Sequence, residues 1–336
     1  VPETLVNEPI TVGGHTVPPG RKVQLELPFA MLVTGSTEAL PLKVINGRSA
    51  GPVVWLSAAV HGDELNGVQI IRHVMRDLDA KTLRGAVIAA PIVNPLGFMT
   101  QSRYLPDRRD LNRSFPGSAR GSAAARLAHL FMSEIVDHCS VGIDLHTAAN
   151  HRKNVPQVRA NLDDPATLKL AKAFGAPFSI HARLRDGSLR QAAVERDKTV
   201  LLYEAGQAHR FDEEAIEAGF NGVMRALRSL RMIDARLPRP PRTRLIRRTR
   251  WVRARRGGIV DFEVRLGDHV ESGQVIGSIS DAFGARATRV KASETGWVIA
   301  RSMRPLVNSG DALVHIAAES GPDRDDPAEK RRRGSR

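Results

Sequence analysis

Residues 61–64 read His-Gly-Asp-Glu, and residues 144–147 read Asp-Leu-His-Thr. His61 and Glu64 stand three positions apart, close enough for a chain turning out of a strand to bring both onto one metal ion. His146 lies far downstream and ends an apolar run of its own, Val141-Gly142-Ile143-Asp144-Leu145. Two histidines and one carboxylate are the ligand set of a hydrolytic zinc site, which keeps its fourth position open for water. That water, acidified by the metal, becomes a nucleophile near neutral pH. A His-x-x-Glu alone is common and usually structural. Here both elements follow buried-looking strands, 53–60 and the run before Asp144, and the carboxyl ends of parallel strands are where α/β folds place their sites. The pattern predicts one Zn2+ per chain, held by His61, Glu64 and His146.

The elements that must position these residues can be read around them. Residues 1–50 are rich in β signals: a turn at Val12-Gly13-Gly14-His15, another at Pro18-Pro19-Gly20, and period-two alternation from Lys22 to Leu27. From 51 to 235, strands alternate with helices. Strand 53–60 leads into a helix at 67–78, with Val68, Ile71, Val74, Met75 and Leu78 at helical spacing. A strand is expected at 86–93, then a helix at 123–137 with Leu127, Leu130, Phe131 and Ile135 on one face. That helix feeds the strand ending at His146. A helix at 165–174, a strand at 199–203 and a helix at 212–230, capped by Asp212 with acidic residues in its first turn, complete the series. Such alternation predicts a mostly parallel, mixed sheet covered by helices on both faces.

After a proline- and arginine-rich linker at 236–244, residues 245–320 read as a separate all-β module. Two Gly-Asp turns, at Gly267-Asp268 and Gly310-Asp311, each precede a short alternating strand. The module resembles the biotinyl/lipoyl barrel-sandwich domains, which carry a modifiable lysine on a hairpin tip. The corresponding tip here, Ser280-Asp281-Ala282-Phe283-Gly284, has no lysine, and Lys291 comes later. A structural or assembly role, compatible with a homo-oligomer, is therefore expected in place of a carrier role. The tail at 321–336 is charged and expected to be disordered. The four expected parts are thus 1–50, 51–240, 245–320 and 321–336.

The formal net charge of +14 invites a nucleic-acid reading, but much of the excess sits in residues 236–256 and in Lys330-Arg331-Arg332-Arg333. No nucleic-acid motif accompanies either cluster, so no specific nucleic-acid partner is expected. The single cysteine, Cys139, cannot close an internal disulfide, which favours a reducing cytoplasm. No window reaches the roughly 18 apolar residues of a membrane span, and no signal-peptide pattern opens the chain. The first residue is Val1 rather than methionine, so a residue or short leader is expected to have preceded it.

The ordered set Ala59-Val60-His61-Gly62-Asp63-Glu64, Asn94-Pro95, Arg103-Tyr104, Asp110-Leu111-Asn112-Arg113-Ser114-Phe115-Pro116-Gly117, Asp144-Leu145-His146-Thr147 and Tyr203-Glu204-Ala205-Gly206 resembles the succinylglutamate desuccinylase/aspartoacylase family, the amidohydrolase branch of the zinc carboxypeptidase superfamily. The resemblance spans roughly residues 20–235 and implies a zinc-carboxypeptidase-like α/β fold. It implies that His61, Glu64 and His146 are the zinc ligands and that Glu204 is the general base and acid. It further implies that Arg103 polarises the scissile carbonyl, with Arg108 and Arg109 as nearby alternatives. Asn112 and Arg113 would grip the substrate carboxylate, and Arg190 resembles a further carboxylate-binding arginine. Asp110 matches a position behind the first histidine ligand, where a fixed tautomer serves a metal site; a turn aspartate is the competing reading. Asp144 is placed behind His146 in the same way.

The activity implied is hydrolysis of the amide bond of an N-acyl amino acid or a similar small carboxylate. A zinc carboxypeptidase acting on peptides would share the metal centre, and a non-catalytic scaffold relative is the remaining alternative. An intact ligand set together with Glu204 favours the enzyme.

Overall fold

The computed structural model describes residues 6–149 and 151–319. The chain divides into two compact units, the first ending at Arg244 and the second beginning at Leu245. The disorder expected for 321–336 concerns residues outside those described.

The first unit opens with an antiparallel hairpin, β1 (Ile10–Val12) and β2 (His15–Val17). It continues through β3 (Arg21–Met31), β4 (Thr37–Asn46), β5 (Ser49–Ala58), α1 (Asn66–Asp77), β6 (Arg84–Ala90) and α2 (Pro95–Met99). After a 3-10 turn at Leu111–Arg113 come α3 (Ala123–Glu134), β7 (Val141–Ala148), β8 (Arg152–Ala160), α4 (Pro165–Phe174), β9 (Phe178–His181), α5 (Leu189–Val194), β10 (Thr199–Gln207) and α6 (Glu213–Ser229). The strands form one mixed sheet in the order β3-β4-β6-β5-β7-β10-β8-β9. Its centre, β6-β5-β7-β10, is parallel. The pairs β3/β4, β4/β6 and β10/β8 are antiparallel.

The expected fold class is observed, and the period-two arithmetic of β5 shows how it is built. Val54, Leu56 and Ala58 join a core that includes the apolar faces of α1, α4 and α6. Trp55, between them, joins the opposite core with α3, α5 and the β1–β2 hairpin. A strand buried on both faces reads as an unbroken apolar run, which is why 53–60 stood out in the sequence. The cap on α6 is as expected: the Asp212 side chain accepts from Ala215 N at 3.3 Å, with Glu213 and Glu214 in the first turn.

Several boundaries differ from the sequence reading: the strand expected at 53–60 spans Ser49–Ala58, and the one expected at 86–93 spans Arg84–Ala90. The helix expected at 123–137 ends at Glu134, and a 3-10 turn, Val136–His138, carries the chain into β7. The strand expected to close at Tyr203 runs on to Gln207. Strands β8 and β9 and helix α5 were not anticipated as elements. In β8 the run Arg152-Lys-Asn-Val-Pro-Gln-Val-Arg-Ala holds a proline and five polar or charged side chains, which composition alone assigns to a loop.

The second unit contains two small sheets. Strands Thr249–Arg253, Ala312–Ala318 and Gly296–Ser302 pair antiparallel in that order, and His269–Val270 joins the last. Thr288–Lys291, Val275–Ser280, Gly258–Phe262 and Leu306–Val307 form the other. Its own core includes Val260, Ile276, Ile279, Val298, Leu313 and Ile316. Among the described residues, no helix is long and apolar enough to cross a membrane.

One close contact in the central sheet is testable. Gly142 on β7 lies in register with Trp55 on β5, and a Cβ at position 142 would fall 1.9 Å from the Trp55 ring. That ring is fully buried. Gly142→Ala should cost about 1–3 kcal/mol or more through overpacking, read from the urea midpoint; an unchanged midpoint would show that Trp55 has room to move aside.

Candidate metal centre

The three residues predicted to bind metal converge. The chain leaves β5 at Ala58, and Ala59 adopts a left-handed backbone (φ 47°) that turns it sharply toward His61. Gly62 permits that turn to pack flat, because a Cβ there would meet the backbone of Gly97 at 2.0 Å. His61 Nδ1 lies 2.7 Å from Glu64 Oε1, and His146 Nδ1, from β7, lies 2.8 Å from Glu64 Oε2. All three side chains are buried. One donor atom from each lies within 4.8 Å of the others.

The far side of each imidazole is held by a carboxylate. His61 Nε2 is 3.2 Å from Asp110 Oδ1, and His146 Nε2 is 2.8 Å from Asp144 Oδ2. The second oxygen of Asp144 accepts from Ser57 Oγ at 2.7 Å, across strands β5 and β7 in register. Asp110 Oδ1 also accepts from Asn112 N at 2.9 Å, closing the turn, so the same oxygen faces both the turn and His61. Such outer carboxylates fix the tautomer and ring direction of a metal-binding histidine. The arrangement fits a divalent ion of the zinc type: two imidazole Nδ1 atoms and a carboxylate face one another, and both Nε2 atoms are committed elsewhere.

The electrostatics follow from burial and pairing. Burial works against the Glu64 charge, yet His61 and His146 hold its carboxyl far below the usual carboxylate range. Burial likewise opposes protonation of the histidines. Glu64 and Asp110 nevertheless raise His61, and Asp144 and Glu64 raise His146 well above an ordinary imidazole. Asp110 is also lowered: His61 and Arg103 outweigh its burial.

Arg103 reaches this cluster, with Nη2 donating to Asp110 Oδ2 at 2.9 Å and Nη1 standing 3.5 Å from Glu64 Oε1. Its sequence alternatives do not take that place: Arg108 and Arg109 are exposed, and Arg109 contacts Asp107 at 3.5 Å. Asn112 is buried, and its Oδ1 accepts from Leu189 N at 2.9 Å, the first residue of α5. Arg113 is exposed beside it, with Nη1 donating to Asn112 O. Arg190 is only 7 % exposed. Its Nη1 and Nη2 donate to the carbonyls of Ala182 and Arg183 at 3.2 and 2.6 Å. Burial and then the like charge of Arg159 lower its pKa to about 10.

Glu204 lies on β10 in parallel register with His146, so both side chains share one face of the sheet. Asn154 Nδ2 donates to Glu204 Oε2 at 2.5 Å, and Arg159 Nε lies 3.8 Å from Glu204 Oε1. Both partners come from β8. Asn66 ties the loop that carries His61 and Glu64 to the same strand as Glu204, donating to Ala205 O at 3.2 Å, and it accepts from Asp212 N at 3.0 Å. Sequence reasoning passed over Ser57, Asn66, Asn154 and Arg159. A lone hydroxyl inside the apolar run 53–60 was the available signal for Ser57; the other three had none. His209 donates its backbone N–H to Asp63 O at 2.8 Å and is half-exposed, as a loop histidine would be. Cys139 is buried, and burial raises its thiol, so it stays protonated and inert.

Residues 50–230 match the succinylglutamate desuccinylase/aspartoacylase catalytic domain. The chain belongs to this family. Among curated members, it is 30 % identical over 292 residues to the N-alpha-acetyl-L-2,4-diaminobutyric acid deacetylase of Halomonas elongata, covering 83 % of this chain and 85 % of that one. It is 27 % identical over 206 residues to the succinylglutamate desuccinylase of Pseudomonas aeruginosa, 58 % of each chain. Among solved structures, the family member from Rhodobacter sphaeroides superposes with a TM-score of 0.80 at 27 % identity, covering 90 % of this chain and 98 % of that one. The product-bound ectoine utilization protein EutE (DoeB) from Ruegeria pomeroyi gives 0.81 at 25 % identity, with 93 % and 99 % covered. These shares are larger than the first unit, so the likeness to the deacetylase and to both structures extends beyond Arg244.

Asp144→Ala should weaken divalent-metal affinity about 10- to 100-fold by freeing the His146 ring, measured by competition with a chromogenic chelator. Unchanged affinity with an intact circular dichroism spectrum would show that Asp144 only packs there.

Proposed function

We propose that the protein is a zinc-dependent hydrolase that cleaves the amide bond of an N-acyl amino acid or a related small carboxylate. The observation that carries this reading is the shared sheet face: a His-Glu-His cluster with carboxylate-held histidines, and Glu204 in register beside it. Family membership supports it, because the relatives are named for removing acetyl or succinyl groups from amino acids.

Zn2+ held by His61, Glu64 and His146 would acidify a water and polarise the acyl carbonyl. Glu204 takes a proton from the attacking water and returns it to the departing nitrogen. Asn154 occupies Oε2, which leaves Oε1 as the oxygen that carries the proton. Arg103 donates to the oxygen on which negative charge develops, a role in which one well-placed donor is worth about 3–4 kcal/mol. Asn112, Arg113 and Arg190 bind the substrate carboxylate, for which a guanidinium offers two parallel hydrogen bonds. Asp110 and Asp144 hold the histidines still.

Glu204→Gln keeps the shape of the site but can neither accept nor return the proton. On an N-acyl amino acid substrate it should lower kcat about a hundred- to ten-thousandfold, with KM little moved and metal content unchanged. A near-wild-type kcat would sink the mechanism. Screening zinc-loaded protein against N-acetyl, N-succinyl and N-formyl amino acids beside short peptides tests the substrate class; preference for peptides would point to a carboxypeptidase instead.

A further inference from the structure

The carboxylate-binding set drawn from the family resemblance leaves out the arginine nearest Glu204. Strand β8 runs antiparallel to β10, with Gln157 opposite Glu204 and Arg159 opposite Leu202. Directly opposed residues share a face and alternate residues return to it. Arg159 therefore stands on the side of the sheet that carries Glu204 and His146.

Arg159 is incompletely partnered. Its Nε is shut away from solvent and has no hydrogen-bond acceptor among the described residues. The nearest carboxylate oxygen, Glu204 Oε1, is 3.8 Å away, beyond hydrogen-bonding distance. A buried charged donor left unmade is costly, yet the side chain as a whole keeps 30 % of its exposure, so a small molecule can reach it. The other anions nearby are spoken for. Glu204 Oε2 is taken by Asn154, and Asp144 is shared between His146 and Ser57. Arg190 adds a second positive charge close enough to feel that of Arg159, with two of its nitrogens fixed on the Ala182 and Arg183 carbonyls. Two guanidiniums, Arg159 and Arg190, thus stand near the one carboxylate of Glu204.

We propose that Arg159 binds a carboxylate of the substrate, presenting its guanidinium next to Glu204 and so positioning the scissile amide against that base. The proposal rests on the hydrolase reading above. A planar guanidinium matches a carboxylate through paired N–H donors, which an ammonium cannot reproduce. The carboxylate has two possible sources with the same chemistry: the amino-acid carboxyl, or the distal carboxyl of a dicarboxylic acyl group. The competing role is service to Glu204 alone, in which Arg159 only steadies the base.

The test compares wild type, Arg159→Met and Arg159→Lys as full-length, zinc-loaded protein on matched pairs: N-acetyl amino acids against their carboxamides, and N-succinyl against N-acetyl amino acids. Arg159→Met should raise KM about tenfold or more on the substrate bearing the recognised carboxylate, with kcat far less affected, and the penalty should disappear on the matched partner lacking it. Arg159→Lys should recover only part of the loss. A penalty that tracks the blocked carboxamide identifies the amino-acid carboxyl as the group bound; one that tracks succinyl against acetyl identifies the acyl end, and either result supports the proposal. A uniform fall in kcat across all substrates with KM unmoved would assign Arg159 to Glu204 and overturn it. Calorimetry with the free amino acid and with succinate reads the same contact without turnover. Equal affinity of wild type and Arg159→Met for both would overturn the proposal even if no amide in the set is cleaved, an outcome that by itself would refute only the hydrolase reading.

Discussion

A carboxylate with almost no access to water, Glu64, is the constraint around which the first unit is arranged. Burying an unpaired charge costs several kcal/mol, and the chain meets that cost with His61 and His146, one on each oxygen, and with the backbone N–H of Thr147 at 2.9 Å. Those imidazoles are themselves buried and need anions on their outer nitrogens, which brings in Asp110 and Asp144. Asp110 in turn recruits Arg103, and Asp144 recruits Ser57. Contacts thus run outward from Glu64 through imidazole and carboxylate to guanidinium or hydroxyl. Removing any one group strands its neighbours in a region that cannot hydrate them, so the network is far more demanding than its individual contacts.

Sheet register is what delivers these groups to one place. Ser57 opposes Asp144 and Glu204 opposes His146, each across a parallel pair. A slip of one residue between β7 and β10 would send Glu204 to the face of α1 and α6 and leave the histidine facing an apolar side chain. Apolar packing guards against this. Val54, Leu56, Ile143, Leu145, Leu201 and Tyr203 fill one core, while Trp55 and Val200 fill the other. The Tyr203 hydroxyl also donates to Ala215 O at 2.8 Å, fixing the strand to α6. The positions that could perform chemistry are thus aligned by residues that perform none.

How much of this the sequence revealed depended on local contrast. His61, Glu64, His146 and Glu204 were legible because polar residues ended strongly apolar runs, and the helical spacing of α1 and the acidic start of α6 were equally plain. The arginines were harder. With 50 lysines and arginines in the chain, no single one stands out, and proximity in sequence could not separate Arg103 from Arg108 and Arg109. Only the fold shows that Arg103 meets Asp110 while the other two remain exposed. Asn154 and Arg159 were invisible for a different reason. Their strand carries polar groups on the side facing Glu204 and a proline at 156, so the local pattern contradicted the strand that the sheet makes of it.

That same strand separates two jobs by parity. Val158 packs into the core shared with α4 and α6, while Gln157 and Arg159, one position to either side, turn toward Glu204. Mutations at 157 and 159 leave the core side of β8 as it was, and mutations at Val158 leave the side facing Glu204 as it was. Selection can therefore rewrite the chemistry that β8 presents without renegotiating the folding of the sheet. A combinatorial library confined to positions 157 and 159 would vary the face that β8 shares with Glu204 while leaving its apolar face unaltered.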